Sequence, residues 1–191
     1  MKILFSPSET KISGGTNPAI NKDSFLFPEL FETRMEIVKH YQEYISNASK
    51  EQLIKLFGTK KENVIEQYLK NIFDGLTMKA IKLNSVEQSY IDKNVLIFSN
   101  LFGPINSGDF IPDYKLKQGE TFDNVKIEKF YNDNFSSILD ETLKNEDIID
   151  LRAGFYEKFY KINKPYTTMK FIKDGKVVSH WAKAYRGVIL K

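Results

Sequence analysis

The sequence predicts an α/β (α+β) chain with a mixed central sheet flanked by helices. A helix–hairpin–helix insertion and a basic cleft at the strand ends complete the expected architecture. Three observations carry this expectation. Short apolar runs of strand length alternate with amphipathic stretches of helix length. The Asp174-Gly175 turn forces one antiparallel pair. Four strand-like runs each exit into a polar, charged loop, and α/β sheets bind ligands outside the carboxyl ends of their strands.

Lys2 to Phe5 reads as the first strand, leaving through Ser6-Pro7-Ser8-Glu9-Thr10-Lys11 into a loop rich in Ser, Gly and Asn. Pro28 suits a helix start. Phe31, Met35, Val38, Tyr41 and Ile45 then recur at three- and four-residue steps, which predicts a helix to about Asn47. His40 lies on its flank and reads as structural. Ser49–Gln52 and Thr59–Glu62 are capping-box patterns on either side of Gly58. They predict two helices, the second running through Ile72, with Lys60 and Lys61 exposed at the hairpin. Such a unit can present backbone N–H groups and lysines to phosphates, and it also fits an ordinary helical hairpin. Ser85–Gln88 is a further capping pattern before a short helix.

Val95 to Phe98 is apolar and short, as a buried strand is. Gly103, Pro104, Gly108 and Pro112 break the next loop, which carries Asp109, Asp113, Tyr114 and Lys115. A rigid loop at a strand end is a common place for a site, and the same charges also fit a solvated surface loop. Phe135 to Leu143 predicts a helix. Ile148-Ile149 predicts a strand ending in Asp150-Leu-Arg152, followed by an aromatic helix from Phe155 to Tyr160. Tyr166 to Ile172 and Val177-Val178 predict a hairpin that exits through His180 toward Lys183 and Arg186. Convergence of the four loops would place Glu9, Asp109, Lys115, Arg152 and Lys183 in one cleft.

The chain of 191 residues suits one domain, 1–191, and 41% apolar residues with 15 Phe and 10 Tyr are ample for a core. No cysteine is present, which removes disulfides, thiol nucleophiles, iron–sulfur clusters and thiolate zinc sites. With two histidines, no metal site and no cofactor are expected. No apolar run reaches membrane length, and the opening MKILFSPSE is too short for a signal peptide. A cytoplasmic monomer is the default expectation. Net charge is +3, but residues 161–191 hold eight Lys or Arg against one acid, a local charge of +7 on a body of −4. That asymmetry points to a polyanion, either double-stranded DNA or a phosphate-bearing small molecule.

Four blocks resemble the YaaA family of peroxide-stress proteins. Ile3-Leu-Phe-Ser-Pro-Ser-Glu-Thr-Lys11 is similar to the family's SPAKT or PPSETK opening. Asn100-Leu-Phe-Gly103 with Gly108-Asp-Phe-Ile-Pro-Asp-Tyr-Lys-Leu116 resembles its LxG–RPxDxxxPYRLE segment. Asp150-Leu-Arg152 resembles its VDLRS-like strand end, and Val178-Ser-His-Trp-Ala-Lys183-Ala-Tyr-Arg186-Gly187 its ISxxAKKARG segment. The blocks stand in family order across nearly the whole chain. Asn106-Ser107 departs from the family's Arg-Pro, and Lys115 replaces an arginine, keeping charge without the bidentate fork. The family chain also continues past the last block, whereas this sequence stops at Lys191.

The resemblance implies a mixed α/β fold with a helical hairpin at about 49–72 and a positively charged cleft. It implies a bacterial cytosolic protein that limits peroxide damage, is connected with iron and has affinity for DNA. Under a DNA-binding reading, Lys11, Lys60, Lys61, Lys115, Arg152, His180, Lys183 and Arg186 would contact nucleic acid or an anion. Ser6, Pro7, Gly108, Asp113 and Tyr114 would line the cleft. Under an enzymatic reading on a nucleotide or damaged base, Glu9 or Asp109 would serve as general base. Lys115 and Lys183 would hold phosphate or act as amine nucleophiles. Direct iron sequestration is disfavoured by the ligand inventory.

Overall fold

A computed structural model describes residues 1–7, 20–46, 72–73, 78–79, 84–109, 111–112, 114–122, 124–177 and 182–190. Strand β1 (Lys2–Phe5) lies at the centre of a five-stranded sheet, with Val95–Ser99 and then Gly103–Asn106 on one side and Ile148–Leu151 and then Thr167–Thr168 on the other. Helix α1 (Phe31–Ser46) follows a 3-10 turn at Pro28–Leu30. Two short strands, β2 (Ile72–Phe73) and β3 (Met78–Lys79), pair with each other. Ile72, expected to end a helix, opens β2 instead. The rest of the expected hairpin, residues 49–71, lies outside the described residues.

Helix α2 (Ser85–Asn94) is capped one residue earlier than the sequence suggested. The Asn84 side chain accepts from Val86 N and Glu87 N, and Glu87 returns to Asn84 N. The box is thus Asn84–Glu87 rather than Ser85–Gln88, with a strong N-cap residue and a Glu at N3. The chain then enters β4 (Val95–Ser99), buried throughout. A tight turn brings β5 (Gly103–Asn106) back antiparallel to β4, so part of the expected loop is an edge strand. Pro104 lacks a donor, which an edge position tolerates. Gly103 is required twice: its φ is +68°, and a Cβ there would sit 2.3 Å from the Tyr131 ring.

Helix α3 (Ile127–Leu143) begins eight residues before the expected start at Phe135. Ile127, Tyr131, Phe135, Leu139 and Leu143 form its buried stripe at four-residue steps. Lys164 Nζ donates to the carbonyls of Leu143, Lys144 and Glu146, closing the helix end with a cation. Strand β6 (Ile148–Leu151) pairs parallel with β1, and β7 (Thr167–Thr168) parallel with β6. Between them a 3-10 turn, Gly154–Lys158, stands where an aromatic helix was expected. Strands β8 (Ile172–Lys173) and β9 (Lys176–Val177) form a separate antiparallel ribbon. Helix α4 (Ala182–Leu190) follows. The sheet is mixed as expected, but its antiparallel pair is β4–β5 rather than the Gly175 hairpin.

Candidate functional site at the carboxyl ends of the strands

Strands β4, β1 and β6 run in the same direction, so Asn100, Ser6 and Arg152 emerge on one edge of the sheet. The chain leaving β1 crosses toward β4, and the chain leaving β6 turns to β7 on the other side. The carboxyl ends of β1 and β6 therefore flank a topological switch point, where such sheets open a crevice. Ser6 sits there. Its hydroxyl accepts from Ala153 N at 2.7 Å, tying the two exits together, and Pro7 beside it is buried.

Arg152 occupies the expected strand end but does not present its guanidinium to an outside anion. Nε and Nη2 bond both oxygens of Asp150 at 2.9 and 2.8 Å. Nη1 donates to the carbonyls of Tyr156 and Tyr160. The Phe98 ring lies 4.5 Å from Arg152 Cζ. The side chain is 1% exposed. Asp150 also accepts from Arg152 N, so the Asp-Leu-Arg sequence folds on itself and fixes the strand exit. This is a positioning arginine.

The central loop divides between the two edges of the sheet. Because β5 runs back along β4, Ser107 N bonds Val95 O and Ser107 Oγ bonds Ile91 O, at the amino end of β4. Gly108 packs there against Asp92. The Asp109 carboxylate accepts from Leu26 N and Asn106 N, both at 2.8 Å. Gly108 and Asp109 thus lie about 13 Å, the length of β4, from the edge that holds Ser6 and Arg152. The expected convergence fails for them because Gly103–Asn106 is a return strand. The loop then comes back. The Tyr114 hydroxyl bonds Ser99 Oγ, which also accepts from Phe102 N. Asn100 Nδ2 donates to Leu116 O, and its Oδ1 is buried without a partner among the described residues. Tyr114 is buried beside the carboxyl end of β4, so it packs the interior there. The Lys115 side chain is exposed beside it, and its carbonyl accepts from Tyr41 OH.

The fourth loop was expected to follow a strand of the main sheet. It follows the separate β8–β9 ribbon instead. Arg186 is half-buried on α4, with Lys183 one turn before it. Glu9, Lys11, Lys60, Lys61, Asp113, His180 and the side chain of Lys183 lie outside the described residues.

Arg34 has no counterpart in the sequence-based expectations. It is fully buried in α1 and donates to the carbonyls of Phe102, Leu26 and Pro104. Phe25 and Phe135 lie over its Cζ at 5.0 and 4.7 Å. Burial lowers its pKa to about 10, against the favourable fields of Tyr131, Asp109 and Glu29. Arg34 braces the β4–β5 turn from inside, while Asp109 ties the exit of β5 to Leu26. The signal in the sequence was a charge on the apolar stripe, three residues after Phe31.

Among the described residues, no group of three or more His, Asp or Glu could hold a metal ion. No described helix is long and apolar enough to cross a membrane.

The full length of the chain, residues 1–191, matches the family described as "Peroxide stress protein YaaA". An uncharacterized protein of Campylobacter jejuni is 50% identical over all of this chain and 83% of its own length. A UPF0246 protein of Corynebacterium efficiens is 27% identical over all of this chain and 84% of its own. A UPF0246 protein of Marinomonas sp. is 28% identical over all of this chain and 83% of its own. With a family match end to end, this chain belongs to the peroxide stress protein YaaA family.

Proposed function

We propose that the protein protects the cytoplasm against peroxide by binding double-stranded DNA, limiting iron-driven damage indirectly. The observation that carries the reading is the charge asymmetry: +7 over residues 161–191 on a remainder of −4. A basic surface of this kind attracts a polyanion by releasing counterions from it. The contact would run through the hairpin expected from the sequence at about 49–72 and through the strand-end edge beside Ser6. Iron protection would be indirect, since the chain has no cysteine and two histidines.

The alternative, an enzyme acting on a nucleotide or damaged base, draws less support. Asp109, one of its two candidate bases, already accepts two backbone N–H bonds at the other end of β4. Glu9, Lys115 and Lys183 remain its candidates.

A salt titration of duplex binding tests the reading. Wild type should bind with log affinity falling steeply against log salt. Lys183→Glu with Arg186→Glu should weaken binding and flatten the slope by about 1.8, the worth of two phosphate contacts. Lys22→Glu with Lys39→Glu, on exposed lysines of the acidic body, should change both far less. A protein that ignores duplex DNA at low salt, yet holds a nucleotide at high salt, would reverse the order of the two readings.

A further inference from the structure

The β8–β9 ribbon is small, exposed and charged in an unusual way. Strand β7 runs parallel to β6, so the chain leaves it at the carboxyl edge of the sheet. The ribbon begins four residues after Thr168, within about 14 Å of that edge. Asp174 and Gly175 form its turn with φ of 51° and 73°, the left-handed pair that suits a two-residue hairpin. Nothing lies within 4 Å of a Cβ built on Gly175, so the tip is open. At the base, Phe171 stacks on Tyr185 of α4 with ring centroids 5.5 Å apart.

The register sets Ile172 opposite Val177 and Lys173 opposite Lys176. Successive residues of a strand face opposite ways, so one face carries the apolar pair and the other the lysine pair. Ile172 and Val177 are 65% and 71% exposed. Two lysines directly opposite repel each other and weaken a hairpin. Residues 161–177 contain five lysines and one acid. Of these, Lys164 is committed to the end of α3, while Lys170 and Lys176 are exposed.

We propose that this ribbon is a DNA-contacting arm whose lysine face neutralises phosphates of the duplex. The proposal rests on the DNA-binding reading above and assigns that contact to residues 170–177. The register makes positions 173 and 176 a cross-strand pair of lysines, and an anion accepted by such a like-charged pair would offset its repulsion.

The experiment compares wild type with the triple variant Lys170→Gln/Lys173→Gln/Lys176→Gln. The control is Lys22→Gln/Lys39→Gln/Lys126→Gln, an equal charge change on exposed lysines elsewhere. Binding of a fluorescent duplex is followed by anisotropy over a salt series. The ribbon triple should lose at least tenfold in affinity at low salt, and its salt slope should fall by about 2.7. Lys176→Glu, which converts the like-charge pair into an opposite one, should raise Tm while weakening binding. If the ribbon triple and the control behave alike, the arm is overturned and the DNA reading stands. If wild type itself does not bind duplex at low salt, both fall. If Lys176→Glu raises Tm with affinity unchanged, the lysine pair is only a local strain and the arm is overturned.

Discussion

Arg152 separates a structural arginine from an anion-binding one, because the two roles give opposite results on the same variant. Its guanidinium makes two bonds to Asp150 and two to backbone carbonyls, all in the interior. Arg152→Met keeps the length of the stem and the contact with Phe98 but strips all four bonds. Among the described residues, Asp150 is left as a buried carboxylate held only by Arg152 N. Removing one member of a buried ion pair costs about 3–5 kcal/mol. In a chain of this size each kcal/mol moves Tm by about 2–4 °C, so Tm should fall by on the order of 10 °C. Adding Asp150→Ala removes the orphaned charge. The double variant should therefore be well short of additive, with a coupling of about 2 kcal/mol or more. The assay is thermal unfolding by circular dichroism for wild type, both singles and the double, with duplex binding measured on whatever remains folded at low temperature. An Arg152→Met protein that keeps its Tm within about 2 °C but loses salt-dependent binding would refute the reasoning. That outcome would mean the guanidinium leaves Asp150 for a phosphate.

Two further outcomes are expected. Gly103→Ala should destabilise by about 3 kcal/mol or more, since it adds a left-handed alanine and a clash with Tyr131, whereas Gly175→Ala, with the same sign of φ in open space, should cost about 1–2 kcal/mol; urea midpoints for the two variants measure the difference. Alkaline unfolding should begin near pH 10: burial pushes the Tyr41 phenol up to about 12 and raises Tyr131 and, with the Asp140 bond adding to it, Tyr160. The unfolded chain releases these protons first, so stability is full below the unfolded pKa of 10 and is lost as pH rises through the folded values. Tyr41→Phe should make the loss shallower, as read by tyrosinate absorbance against ellipticity.

The strands β1, β4 and β6 were legible because each is a short apolar run with a polar exit. Their common direction made the candidate site legible too, at Ser6 and Arg152. Strand β5 was hidden because Gly103-Pro104 reads as a break, and only the antiparallel return at a sheet edge reconciles that pair with a strand. The hidden strand also displaces Asp109 from its expected place, since a return strand carries the residues after it to the opposite edge. The first two turns of α3 were obscured by acidic neighbours, although Ile127 and Tyr131 continue the stripe of Phe135, Leu139 and Leu143 backwards. Arg34 could be read only as a charge on an apolar face. Which carbonyls it would meet depends on a turn 68 residues away in sequence. For Arg152, sequence located the residue but not the direction of its donors, because Asp150 two positions earlier competes with any outside anion.

The position of β1 has a consequence for how the chain is made. Its neighbours on the two sides, Val95 and Ile149, are far downstream of Ile3. The β1 segment can therefore be enclosed only after both of its partners have been made. At about 5–20 residues per second, some 7–30 s pass between synthesis of Ile3 and synthesis of Ile149. Throughout that interval Ile3, Leu4 and Phe5, buried in the finished protein, have no completed sheet to enter. Contacts of such long sequence separation also slow the search for the native pairing once synthesis ends. Nascent chains should thus depend on chaperones at the β1 segment until both partner strands have been made.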